Sequence, residues 1–363
     1  MAKSAVGWSV LDALLDGHWY DAVAALLDTA LTRPGPPLVP GQGPGLARAR
    51  DLAMAARRVL DLDGEDFAAI AATFDAPWAA RLASAGFPAE PRATERGALG
   101  SLVPLYQLML EVLDLRAIRR EPLQVVVTAH LIGEYLPQLA WESTLGHAGD
   151  PLRMEERVGG SRWGTDDPEC PHSSALRSTA KRALNACSGD AEGYTAYLNR
   201  FHSRQGEALA ICAVNSATVG PAERPDVGDW CPNPCAFVTE GPLGERRDLD
   251  ARVRLARLYV ESPLVSLRHH APVGHFFGVP STAEISDAWL RTWDRLSAPW
   301  NDGSNPLLTT PVGAGVVANE ALPGMAALVS AVAGRPLGPG RLLRDIGDDV
   351  ARALEATQAE VIG

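Results

Sequence analysis

Hydrophobic residues recur along this chain at steps of three and four positions, with polar residues between them. This spacing gathers apolar side chains on one face of an α-helix and is typical of amphipathic helices. The runs that carry it are Val10 to Leu31, Leu52 to Leu60, Phe67 to Leu82, Leu99 to Leu115, Leu123 to Leu139, Val253 to Leu267, Ile285 to Leu296 and Leu342 to Ala356. Ala and Leu dominate them and β-branched clusters are short, so the pattern predicts an all-α helical bundle with long loops.

Segments rich in Pro and Gly interrupt this pattern. Residues 33–45, RPGPPLVPGQGPG, cannot form regular structure. We therefore predict an N-terminal helical arm and linker over residues 1–45, followed by a large all-α domain over residues 46–363. The arm would pack on the rest of the chain or on a second subunit, which would make the protein a homodimer. An excursion from the bundle at about 159–244 holds all five cysteines.

Composition narrows the classes of partner. A chain of 363 residues with 46% hydrophobic content can bury a large core. The net charge of -11 argues against nucleic acid or an anionic membrane as partner and favours a small neutral or zwitterionic substrate. Asp12 and Asp16 interrupt the apolar pattern of the N-terminus, which argues against an export signal, and no apolar run is long enough to span a membrane. An odd number of cysteines fits a reducing, cytoplasmic location.

Three histidines lie within seven residues in the segment LRHHAPVGHFFGVPS, residues 267–281. His269 and His270 follow a long amphipathic run, and His275 stands between Gly and Phe directly after them. An imidazole is therefore presented where a helix ends and a loop begins, a position that suits a metal or haem ligand. His269 is the candidate ligand and His270 the alternative one residue later. The competing interpretation is a helix C-terminus at which cationic imidazoles satisfy the last carbonyls.

This segment resembles the proximal haem region of the histidine-ligated, haem-dependent aromatic oxygenases, which include tryptophan 2,3-dioxygenase and actinobacterial tyrosine hydroxylases of antibiotic pathways. One branch of that superfamily carries a histidine, three residues, a cysteine, then Gly-His-Phe. Here the frame reads His269, His270-Ala271-Pro272, Val273 and Gly274-His275-Phe276. Val273 replaces the cysteine that would bond to the haem, so the resemblance implies non-covalent haem b with His269 on the iron. Residues 129–151 are similar to the distal segment of the tyrosine hydroxylases, and the two stretches cover about a tenth of the chain.

The resemblance implies a fold of the tryptophan 2,3-dioxygenase type and an oxygenase that hydroxylates the ring of an aromatic amino acid. L-tyrosine converted to a 3-hydroxytyrosine, with hydrogen peroxide or dioxygen as oxidant, would be the reaction, in natural-product biosynthesis. An alternative within the superfamily is cleavage of an indole ring, which adds two oxygen atoms where hydroxylation adds one. Residues 310–315, TPVGAG, occupy the place of the Gly-rich substrate loop of the dioxygenases.

His130 lies in the middle of an apolar helical run, where a polar ring needs a partner or a function. Glu134 follows one turn later, and such a pair can hydrogen-bond or bind a metal from one helix face. In the family interpretation His130 is the distal acid–base; otherwise the two form a structural pair in the core. His147, in the loop-like GHAGDP that follows the same helix, is the next choice for the catalytic role.

Further candidates follow from residue type alone. An amino-acid substrate would present a carboxylate, which arginine binds through two parallel hydrogen bonds. The candidates for this contact are Arg153, Arg157 and Arg291. Aromatic side chains that could stack on a porphyrin or a substrate ring, or belong to the core, are Tyr135, Trp141, Phe276 and Phe277.

A zinc site and a non-catalytic role remain alternatives. Cys231 and Cys235 resemble half of a zinc knuckle, and Cys170 with His172 could supply two more ligands, although the C-x-H spacing of that second element is unusual. Such a protein would be a helical interaction module, colourless and without haem. The sequence contains no P-loop, no G-x-G-x-x-G after a strand, no G-x-S-x-G elbow and no H-E-x-x-H helix, which argues against nucleotide-dependent enzymes, esterases and zinc peptidases.

Overall fold

A computed structural model of the chain describes residues 2–32, 44–158, 178, 191–198, 202–214, 240–270, 278–309 and 321–362. Within these ranges the backbone forms helices, turns and loops, without a β-strand. The helices are α1 (Ala2–Asp16), α2 (Tyr20–Thr32), α3 (Pro44–Leu60), α4 (Phe67–Ala71), α5 (Pro77–Ala85), α6 (Gly97–Gly100), α7 (Val103–Ile118), α8 (Pro122–Leu145), α9 (Pro151–Val158), α10 (Ala191–Ala196), α11 (His202–Val214), α12 (Leu243–Val260), α13 (Pro263–Ser266), α14 (Thr282–Leu296), α15 (Pro306–Thr309), α16 (Met325–Ala333) and α17 (Leu342–Ile362). A 3₁₀ turn, Leu267–His270, follows α13. The all-α prediction is confirmed.

Two hydrophobic cores meet at α7. The first is built from α7, α8, α11, α12, α13, α14 and α16, and the second from α1 to α5, α7 and α17. Helix α7 contributes Leu105 and Met109 to the first core and Leu108 and Val112 to the second. A helix that is apolar on all sides has to be buried on all sides. This explains how a single continuous helix joins both halves of the molecule.

The N-terminal arm packs on its own chain. Helices α1 and α2 lie against α3 and α17, and the buried Tyr20 hydroxyl donates a hydrogen bond to the Leu343 carbonyl at 3.1 Å. The guanidinium of Arg119 stacks on the Trp19 ring at 4.3 Å and donates to the His18 carbonyl at 2.9 Å. These contacts attach the turn between α1 and α2 to the C-terminal end of α7.

The described helices of the predicted excursion, α10 and α11, also pack on the bundle. The Trp141 indole of α8 donates to the Leu209 carbonyl of α11 at 3.1 Å, and the Tyr194 hydroxyl of α10 donates to the Pro88 carbonyl at 2.5 Å. Trp141 is fully buried, so it is a core residue that joins α8 to α11.

Helix α8 lies in the middle of the first core and is fixed from two sides. The Tyr106 hydroxyl donates to the Ile132 carbonyl at 2.7 Å, and the Tyr259 hydroxyl of α12 donates to the Ala129 carbonyl at 2.8 Å. Gly133 lets the Tyr259 ring approach, because a Cβ atom there would lie 3.3 Å from its Cε1 atom. The backbone around residue 130 is therefore held by neighbouring helices.

Candidate functional site

His130 is carried by the central turns of α8. This helix begins at Pro122, whose missing N–H costs nothing at the first helical position, and ends at Gly146, which adopts the left-handed conformation with φ 76°. The side chain of His130 is 12% exposed, and its Nε2 atom lies 3.3 Å from Oε1 of Glu134, one turn further along. The predicted pair on one helix face is therefore present.

Arg268 and His269 reach the same place from the other end of the sequence. After α12 the chain turns at Ser262, which caps α13 by accepting a hydrogen bond from the Val265 amide, and the 3₁₀ turn then packs on α8. Arg268 Nη1 lies 2.9 Å from His130 Nε2. The rings of His130 and His269 stand edge to face, with 6.5 Å between their centroids, and His269 is exposed. Residues more than 130 positions apart thus form one polar cluster, His130, Glu134, Arg268 and His269.

The hydrogen bonding of this cluster constrains the proton on His130. A guanidinium has only donors, so Nε2 of His130 accepts the hydrogen bond from Arg268, and the neutral ring carries its proton on Nδ1. Nδ1 is buried and has no hydrogen-bond partner among the described residues. With a proton on Nε2, the ring could instead donate to Glu134 Oε1 at 3.3 Å. Arg268 and Glu134 therefore compete for Nε2. A buried polar atom without a hydrogen-bond partner, as Nδ1 is among the described residues, is often explained by catalysis or a bound group.

Tyr135, the next residue after Glu134, belongs to a different face of α8. Its ring lies 6.1 Å from that of Phe87, measured between centroids. Burial, followed by the nearby charges of Glu134 and Glu65, raises the pKa of Tyr135 to about 12. The hydroxyl therefore stays protonated at neutral pH.

His147 occupies a separate site beyond the C-terminus of α8. It is 1% exposed, and its Nδ1 accepts a hydrogen bond from the Asp150 amide at 2.8 Å. The helix from His130 to Leu145 has a length of roughly 22 Å at 1.5 Å per residue. His147 and His130 are thus not brought together, and the bond to Asp150 stabilises the turn between α8 and α9.

The predicted arginines lie on the surface or next to that turn. Arg153 donates to the Gly146 carbonyl at 3.1 Å. Arg291 is 61% exposed on α14, where it pairs with Asp287 at 2.8 Å. For Arg157 the structure describes the helix and not the side chain. The arginine that contacts His130 is instead Arg268, which the sequence reasoning missed although it directly precedes His269.

Several predicted residues lie outside the described ranges. These are Val273, His275, Phe276, Phe277, the loop 310–315, Cys170, His172, Cys231 and Cys235; the side chain of His270 also lies outside. In the part of the chain that the structure describes, no group of three or more His, Cys, Asp or Glu side chains is placed to hold a metal ion. A haem needs less from the protein, since one axial imidazole is sufficient. Among the described residues, the exposed imidazole of His269 could supply that one ligand.

Comparisons with known proteins add no relative, because neither a family model nor a curated protein nor a solved structure matches this chain. The resemblance to the haem-dependent oxygenases thus depends on the quoted residues and stays a prediction. No helix among the described residues is both long and apolar enough to cross a membrane.

Proposed function

We propose that this protein is a haem-dependent oxygenase of the tryptophan 2,3-dioxygenase type that hydroxylates the ring of an aromatic amino acid, with L-tyrosine as the preferred substrate. The observation that carries the proposal is the approach of His130 and His269. The resemblance implies His130 as the distal and His269 as the proximal residue, and their rings lie 6.5 Å apart although 139 positions separate them in the chain.

His269 is the residue that would hold haem b. Its imidazole is exposed at the end of a short turn, where a nitrogen can be offered to a bound group without removing a core side chain. When bound, haem b would supply an iron centre that activates hydrogen peroxide or dioxygen for transfer of one oxygen atom.

His130 is the proposed acid–base residue. The Nε2 lone pair of His130 accepts the hydrogen bond from Arg268, and once Arg268 turns to the substrate the same lone pair would accept a phenol proton. Glu134 Oε1, at 3.3 Å from this atom, would then stabilise the imidazolium. A ring nitrogen beside a guanidinium and a carboxylate could exchange a proton with a bound phenol.

Arg268 is the best-placed cation for the substrate. Its Nη1 contacts His130, whereas Arg153 and Arg291 have partners elsewhere. A guanidinium at this position could bind the carboxylate or the phenolic oxygen of an amino-acid substrate. His130 would face the group that Arg268 binds. A net charge of -11 supports a zwitterionic substrate over an anionic polymer.

The test is an absorption spectrum of protein purified from cells supplied with a haem precursor, with pyridine extraction of the pigment. We expect a Soret band and extractable haem b. Replacing His269 by Ala should abolish haem binding without unfolding the protein, because the side chain is exposed. His270→Ala is the matched control and should retain haem. A colourless protein that takes up no added haem would refute the proposal, and haem loss in the His270 variant alone would move the ligand by one residue.

Turnover distinguishes the role of His130 from that of His269. His130→Ala should keep haem and lose roughly 10²- to 10⁴-fold in tyrosine hydroxylation, the usual contribution of general acid–base catalysis. Mass spectrometry of the product separates hydroxylation, which adds one oxygen atom, from ring cleavage, which adds two. Unchanged turnover in this variant would contradict the distal role.

A further inference from the structure

We infer that a cleft between the end of α7, the start of α8 and α14 is a second binding site, and that it takes a small carboxylate with an apolar ring or short chain. The cleft has a volume of about 350 Å³, within the range of small-molecule sites. Its apolar lining includes Val125, Ile285, Trp289, Leu322 and Pro323. This inference does not depend on the proposed function.

The apolar lining of the cleft favours a ligand with a hydrocarbon ring or chain. Trp289 is 3% exposed, and its indole N–H already donates to the Pro323 carbonyl at 3.0 Å. The indole therefore offers an apolar surface to the cleft and no hydrogen-bond donor. Ile285 adds an aliphatic side chain from the same helix. A hydrocarbon ring or chain would lose water-exposed surface here, which is the main source of favourable binding free energy.

The charges at the rim of the cleft determine which charge the polar group of the ligand should carry. Glu121 lines the cleft, but both of its carboxylate oxygens are paired, with Arg116 at 2.6 Å and Arg119 at 2.8 Å. Arg120 also lines the cleft, is exposed, and has no ion pair or side-chain hydrogen bond among the described residues. Among the described residues that line the cleft, the one uncompensated charge is thus a cation, which favours an anion and a carboxylate in particular.

The backbone holds Arg120 at this position. It follows the last turn of α7 with φ 58°, the left-handed conformation that usually belongs to glycine. Its amide donates to the Ala117 carbonyl at 3.0 Å, and the Glu121 amide donates to the Arg116 carbonyl at 3.0 Å. This pair of bonds is the Schellman termination of a helix, so the end of α7 sets the direction of the Arg120 Cα–Cβ bond.

The cleft is separate from the cluster around His130. Val125 precedes His130 by five residues, which is about 140° around the helix axis at 100° per residue. The two sites therefore use different faces of α8. A ligand in the cleft would not occupy the position proposed for the amino-acid substrate.

The experiment is a ligand-detected NMR titration of the full chain with two carboxylates, phenylacetate and hexanoate. Phenylacetamide, the neutral analogue of phenylacetate, is the control ligand. We expect saturable binding of the carboxylates and at least about 10-fold weaker binding of the amide, since hydrogen bonds to charged groups are the stronger ones. Arg120→Gln should weaken phenylacetate binding by a similar factor of about 10. Arg291→Gln, an exposed arginine of α14 outside the cleft, is the control and should change nothing.

A second variant tests the cleft without altering Arg120 or the end of α7. Ser286 is exposed and lines the cleft, so Ser286→Trp should fill it without disturbing the core and abolish binding of both acid and amide. Absence of saturable carboxylate binding would overturn the inference, as would binding that survives Ser286→Trp. Loss in the Ser286 variant with unchanged binding in the Arg120 variant would overturn the assignment of a carboxylate.

Discussion

Arg96 and Asp150 form a buried ion pair that should be among the most sensitive positions for stability. Arg96 Nε and Nη2 each lie 2.8 Å from one oxygen of Asp150, and Nη1 donates to the carbonyls of Pro91 and Ala93. The Asp150 side chain is fully buried and that of Arg96 is 15% exposed. The perturbation is Arg96→Met, which keeps the apolar stem and removes all four donated hydrogen bonds.

The expected cost follows from what is left behind. Methionine would leave a carboxylate buried without its counter-charge, and removing one partner of a buried pair costs about 3–5 kcal/mol in unfolding free energy. Asp150→Asn combined with Arg96→Met should lose less than the two single changes together, with a coupling of about 2 kcal/mol.

Urea unfolding followed by circular dichroism measures these free energies, with an unchanged slope showing that the unfolded state is comparable. Arg153→Met is the matched control, because Arg153 lies on the same turn and its side chain makes one hydrogen bond within the described part of the chain, to the Gly146 carbonyl. It should cost no more than about 1 kcal/mol. A loss below 1 kcal/mol in Arg96→Met, or a loss equal to that of the control, would refute the reasoning.

Two further predictions concern α12 and α8. Burial alone would raise the pKa of Asp302, but hydrogen bonds from Arg254 and Ser304 lower this pKa overall. The Asp302 carboxylate therefore stabilises the folded protein at pH values above its unfolded pKa of about 3.9. This stabilisation is lost as the pH falls through the lower pKa of the folded state. Urea titrations from pH 6 to pH 2 should show the advantage of wild type over Asp302→Asn shrinking in this acid range; a constant difference would contradict it. Gly133→Ala should destabilise by about 1 kcal/mol despite the better helix propensity of alanine, since the Tyr259 ring cannot move away. Gly244→Ala, in the exposed first turn of α12 where an added Cβ would have nothing within 4 Å, should instead stabilise, and calorimetric melting of both variants checks the opposite signs.

Amphipathic periodicity predicted the fold class and most helices because surface helices have one buried face. It could not resolve Val10 to Leu31 into α1 and α2, which are separated by a turn in which His18 has φ 56°. The sequence signal for that turn was Gly17, directly before it. Helix α16, Met325–Ala333, escaped prediction for the opposite reason. It is buried on nearly every side, so its sequence is apolar apart from Ser330 and shows no helical period.

The candidate site was predictable only where its residues are neighbours along one helix. His130 and Glu134 are related by the helical repeat, so their contact follows from the sequence. The approach of Arg268 and His269 depends on how α13 and the 3₁₀ turn pack on α8, which no local pattern encodes. The same limit explains the arginines. Residue type suggested Arg153 and Arg291, while tertiary packing decides which guanidinium reaches His130.

The packing also indicates which side of the site would move to admit a ligand. The carbonyls of Ala129 and Ile132 flank His130 and accept hydrogen bonds from tyrosines of two other helices, so α8 is fixed there. His269 is exposed and lies at the end of a short 3₁₀ turn. Because a turn of this kind has fewer buried contacts than a central helix, it opens at lower free energy. Under the proposed function, binding would therefore displace His269 and Arg268 while His130 keeps its orientation, and releasing Nε2 from Arg268 would prepare it to accept a proton.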